Sequence, residues 1–288
     1  MLNKLVVSVV MVGLITAGGC ATDRSNSGSK TINLQMFFQE FFQGFKNLLN
    51  PGTETTDQQM SVQEFVSVRF VDRWPVVGAY RYGPNSTARS AAVEILEDIL
   101  EDSSQKSTWA HSVATLGLLG GEKARRVIFN FITKLQELTS FSLYEQRAMH
   151  SGVVALGTWV WTSKYRPDLG FGGPSIQPAI TALEKYVKSC GNFPSHIIHS
   201  PIPIICPAVV DAGLQREIAQ AALLGLALSG DQTAGTVLQD FAGAPDGNPA
   251  VKNFIPEAQA AHATIKRMGL LCYYEPYSFE CQQMAGRR

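Results

Sequence analysis

From Ser86 to Met268 apolar residues recur at helical spacing, and no segment sustains the alternation that a strand requires. This limits the chain to helix packed on helix. The spacing predicts helices over 87–102, 107–119, 122–138, 143–161, 174–189, 214–228, 232–241 and 256–268. Gly120–Gly121 and Gly230–Asp231 read as stops, Pro167–Gly173 as a connecting loop, and Pro256 as a first-turn proline. With 45% apolar and 17% charged residues over 288 positions, the chain is neither disordered nor a small disulfide scaffold. Lys+Arg and Asp+Glu balance at 24 each, so no basic field attracts nucleic acid.

The helices also repeat one another. His111-Ser-Val-Ala-Thr-Leu-Gly117 is followed by Gly121-Glu-Lys-Ala124. Ser151-Gly-Val-Val-Ala-Leu-Gly157 is followed by Ala179 to Leu183, and Ala219-Gln-Ala-Ala-Leu-Leu-Gly225 by Gly230-Asp-Gln-Thr-Ala234. These units resemble the HEAT-like repeat family, in which A-x-A-L-G precedes G-(D/E)-x-x-A and a second helix. The resemblance covers about Ser86 to Met268. It implies an all-α fold, an α-solenoid of HEAT-like helix hairpins whose extended side binds protein. Gly117 to Gly157 is 40 residues and Gly157 to Gly225 is 68, which places an inserted loop at Cys190–Val210. An irregular α-bundle is the alternative. Ala114, Ala155 and Ala222 are expected at the tight helix–helix positions, because small residues let helices approach closely.

The N-terminus carries an address. Lys4 precedes a 12-residue uncharged run, Leu5–Thr16, too short to span a bilayer but suited to a signal peptide. Ala17, Gly18, Gly19 and Cys20 follow. This resembles a bacterial lipoprotein signal, with Ala17 where leucine is usual, and implies a lipid on Cys20. Ala17 and Gly19 equally fit ordinary secretory cleavage at the same bond. The expected organisation is a signal peptide at 1–19 and a lipid-anchored tether at 20–60. A helical repeat domain at 61–271 and a disulfide-closed tail at 272–288 complete it. Ala21 is not the aspartate associated with inner-membrane retention, so the resemblance implies the outer membrane, facing the periplasm. Within the tether, an amphipathic helix is expected over 33–49, where Phe37, Phe38, Phe41, Phe42 and Phe45 form a stripe opposite Gln39, Gln43 and Lys46. The stripe could pack on the body, lie on the membrane or grip a partner. Ser61-Val-Gln-Glu64 reads as a capping box opening a further helix to about Phe70.

Four cysteines remain beyond Cys20. In an oxidising compartment, sequence proximity pairs Cys190 with Cys206 and Cys272 with Cys281. A zinc site from Cys190, His196, His199 and Cys206 is the alternative, and a disulfide would remove its thiolates. No linear motif of hydrolase, phosphate-loop, dinucleotide or zinc-protease chemistry is present. No catalytic residue, metal or cofactor is therefore assigned. His111 and His150 are candidate partner-binding residues, since they fall in the first helices of successive units. Trp109, Trp159 and Trp161 could serve the core or a groove. The favoured expectation is a lipid-anchored scaffold, or an assembly or stability factor, for another envelope protein. The alternatives are an envelope hydrolase with a groove active site and a metal-binding protein using the Cys190–Cys206 loop.

Overall fold

A computed structural model describes residues 86–165, 175–193, 206–207, 211–274 and 281–282. Among them all regular structure is helical. The helices are α1 (Ser86–Glu101), α2 (Lys106–Leu119), α3 (Gly121–Gln136), α4 (Leu143–Tyr165), α5 (Gln177–Gly191), α6 (Ala212–Leu228), α7 (Gln232–Gly243) and α8 (Ile255–Tyr274). A 3-10 turn at Ser103–Gln105 precedes α2, and a single helical turn at Pro249–Lys252 precedes α8. The signal segment, Cys20, the Phe stripe and the Ser61 capping box lie outside the described residues, as do His196 and His199.

Local chemistry explains most boundaries. Gly120 has φ 67°, a left-handed conformation that favours glycine, and it separates α2 from α3. Ser142 and Glu145 form a capping box on α4: Ser142 N donates to Glu145 Oε2 at 2.6 Å, and Glu145 N to Ser142 Oγ at 3.4 Å. Asp211 and Asp231 cap α6 and α7 by accepting from Leu214 N and Thr233 N, each at 2.8 Å. The helical geometry of α8 breaks at Gly269 (φ 85°), one residue after the expected stop. Two ends differ from the sequence reading. The α4 helix runs past Trp161 to Tyr165, because Lys164 and Tyr165 find partners on the α6–α7 turn. The α5 helix starts at Gln177 rather than Pro174, with Pro178 in its first turn.

Neighbouring helices keep a constant register. Lys106 on α2 pairs with Glu145 on α4 at 2.8 Å, 39 residues apart. Further along α4, Trp159 Nε1 donates at 2.7 Å to the O of Gly121, the first residue of α3 just past the end of α2, 38 residues apart. Gly121 N donates to Ser163 Oγ at 3.4 Å, 42 apart. Partner numbers rise together, so α2 and α4 run parallel with a stagger of about one 40-residue unit. From α4 to α6 the stagger is longer. Lys164 meets Asp231 67 residues on, and Tyr165 meets Gly230 65 residues on. The α3 helix runs the other way, since Gly121 at its start meets Trp159 and Ser163 whereas Ile132 further on lies against Gly152. The α4 helix touches α2, α3, α5 and α6, while α6 touches α4, α5, α7 and α8. Each central helix is therefore covered on several sides, and α4 is buried nearly all round from Ala148 to Ser163.

Glycine sets the closest approaches. A Cβ on Gly157 would lie 2.6 Å from Gly225 Cα and closer still to Gly225 O. One on Gly117 would lie 2.6 Å from Ala155 O, and one on Gly225 would lie 2.7 Å from Leu183 Cδ2. Ala155 and Ala222 are buried as expected, but Ala114 is half-buried. The positions that admit no side chain are the glycines two or three residues later, Gly117, Gly157 and Gly225. Disulfides join Cys190 to Cys206 and Cys272 to Cys281, with Cα atoms 5.2 Å and 5.4 Å apart. Beside the first, Phe193 packs edge-on to Phe241 at 4.9 Å, and Asn248 N donates to Gly191 O at 2.8 Å.

Candidate functional site

Parallel α2, α4 and α6 each leave one stripe partly open to solvent. On α2 it is His111 and Ala114; on α4, Arg147, His150 and Val154; on α6, Arg216, Gln220 and Leu224. Within each helix these residues stand three or four apart, so each set lies on one face. The 39-residue stagger of the Lys106–Glu145 pair puts His111 level with His150 on the adjacent helix. The two candidate histidines thus stand at one level on adjacent helices. Burial pushes both imidazoles down to about 4, so both are neutral at pH 7. They offer polar, uncharged ring atoms rather than a positive pair.

Glu217, which sequence reasoning missed, sits in the second turn of α6. It is only 7% exposed, and burial pushes its carboxyl up to about 7, with Arg216 opposing and Asp211 reinforcing the shift. The available signal was an acidic residue beside Leu214, Ile218 and Ala221 in an otherwise apolar helix. On the α6 open face, Gln220 Nε2 donates to Ala250 O at 3.1 Å, tying the helix to the Pro249–Lys252 turn.

Trp109, Trp159 and Trp161 belong to the core. Trp109 packs edge-on to Phe131 with ring centroids 5.4 Å apart, and its Nε1 donates to Ile99 O at 2.9 Å. Trp159 is fully buried beneath the Arg125 guanidinium, and Trp161 is 8% exposed. Among the described residues no three His, Cys, Asp or Glu side chains gather in a way that could hold a metal. The Cys190 and Cys206 sulfurs are bonded to each other, so neither is a thiolate for the zinc alternative. The Phe37, Phe38, Phe41, Phe42 and Phe45 candidates lie outside the described residues. These half-buried stripes mix apolar, amide, imidazole and cationic side chains. Comparison with known protein families, with curated proteins and with solved structures gives no match to this chain.

Proposed function

We propose that the chain is a lipid-anchored envelope protein whose helical hairpins stack as an α-solenoid of HEAT-like units. In this reading the stack binds another envelope protein and helps to assemble or stabilise it. The observation that carries the reading is the parallel stagger of α2 and α4, close to the 40-residue sequence period, with glycine at the contact. Stacked hairpins of this kind share one core and present a continuous helix row, a surface suited to an extended partner. The Leu5–Thr16 run and Cys20 support export and a lipid anchor, and Ala21 supports the outer membrane, facing the periplasm, with residues 20–60 as the tether.

A photocrosslinker placed in turn at Ala114, Val154 and Gln220 tests the surface in intact envelopes. The reading predicts one common protein adduct from all three sites and none from Asn130, an exposed residue of α3. Adducts that are absent, or equally strong at Asn130, contradict it. The anchor is tested separately: Cys20→Ala is expected to move the protein from the membrane fraction to the soluble one. Retention of that variant on membranes after a high-salt wash would show that lipid does not hold it there.

A further inference from the structure

The end of α4, the α6–α7 turn and α8 meet at one carboxylate. Asp231 is 2% exposed, and all its polar atoms are engaged. Its Oδ2 takes Lys164 Nζ at 2.5 Å, and its Oδ1 caps α7 at Thr233 N. Its own N donates to Ser229 Oγ at 3.2 Å. Its carbonyl lies 2.8 Å from His262 Nε2 of α8, which must be the donor because the carbonyl can only accept. Around this centre Tyr165 OH donates to Gly230 O at 3.1 Å. Trp161 closes over Gly230 and Gly269, whose added Cβ atoms would meet its ring at 3.4 and 3.7 Å. Gly235 leaves room for the His262 ring, which a Cβ would meet at 2.7 Å.

In stacked hairpins each unit ordinarily touches only its neighbours. Here α4 ties to the turn of the adjacent α6–α7 hairpin and, through Trp161, reaches Gly269 of α8 beyond it. The tie is lopsided. The Lys164 side chain is 40% exposed, whereas that of Asp231 is 3% exposed. If the pair breaks, the ammonium can go to water, but the carboxylate stays buried without a countercharge, which is strongly unfavourable. We propose that the Lys164–Asp231 pair is a conformational latch that holds α7–α8 closed against α4 and α6. When it breaks, α7–α8 opens as a unit while α1–α4 remain folded. Local opening commonly follows such supersecondary units. The opening uncovers the apolar seam of Trp161, Ala261 and Ile265, all buried in the closed form. The latch stands independently of the partner-binding reading.

Amide hydrogen exchange on the mature full-length chain tests it. Asp231→Asn keeps the α7 cap, since the asparagine Oδ1 can accept from Thr233 N, and replaces the charged Oδ2 acceptor of Lys164 with an amide donor, which breaks the ion pair. We expect exchange across residues 232–268 to quicken at least tenfold, while residues 107–135 stay within twofold of wild type. Lys164→Met strands the carboxylate and should give the larger effect. Adding Asp231→Asn to it should reduce that effect, and Lys164→Arg should resemble wild type. Unchanged exchange in both single variants overturns the latch. So does a rise that spreads equally into residues 107–135, or loss of the folded state in Asp231→Asn.

Discussion

A methyl group on Gly157 would stand 2.6 Å from Gly225 Cα, and backbone cannot move aside as a flexible side chain can. Gly157→Ala is therefore expected to lower stability by about 1–3 kcal/mol, despite alanine's better helix propensity. Gly243→Ala, with nothing within 4 Å of its Cβ, should leave stability within about 0.5 kcal/mol of wild type or raise it. Denaturant melts of the two variants check this. Titration is also a residue-scale matter. His111 and His150 are held near 4 in the folded chain but return toward 6.5 when it unfolds. The unfolded state thus binds more protons in that window, and stability falls as pH drops from 6.5 toward 4. Glu217 acts in the opposite sense: folded, it keeps its proton to about 7 and, unfolded, releases it near 4.5, so stability falls as pH rises across that span. In melting curves against pH, His111→Gln with His150→Gln should flatten the acid limb. Glu217→Gln should raise the melting temperature at pH 8 and leave it unchanged at pH 4.

The helices were legible one by one because their stops and periodicities are local. Gly120, Gly230 and Gly269 end segments through backbone conformation, and the expected bounds fall within a few residues of those observed. What the sequence could not show is which side chains meet across long separations. Ala155 and Gly157 are both small, and only the position of the α6 backbone decides that glycine takes the tightest contact. Lys164 and Asp231 are 67 residues apart, so nothing local announces their pairing. The cysteines were legible because few pairings existed and the closest in sequence were sterically simple. At this scale the 16-residue separation of Cys190 and Cys206 sets an expectation: replacing both with serine should cost about 3 kcal/mol by loop-closure entropy. Thiol labelling of the denatured, unreduced protein should find neither cysteine free. Labelling of both, with no loss of stability on serine substitution, would contradict the crosslink.

For the whole molecule, the question is whether the hairpins stack in sequence or gather around a common centre. Parallel stagger, glycine at the α4–α6 contact and α4 covered by α2 and α6 on different sides favour stacking. The partner-binding proposal depends on this, because only a stack turns α2, α4 and α6 into one continuous row. Spin-label pairs at Ala114, Val154 and Leu224 measure the arrangement directly, with one label on each helix. Adjacent packed helices stand about 8–10 Å apart. The account predicts that the Ala114–Leu224 distance is roughly twice the Ala114–Val154 and Val154–Leu224 distances, since two helix spacings add along a row. Three comparable distances would place the helices around a common centre and contradict the stack.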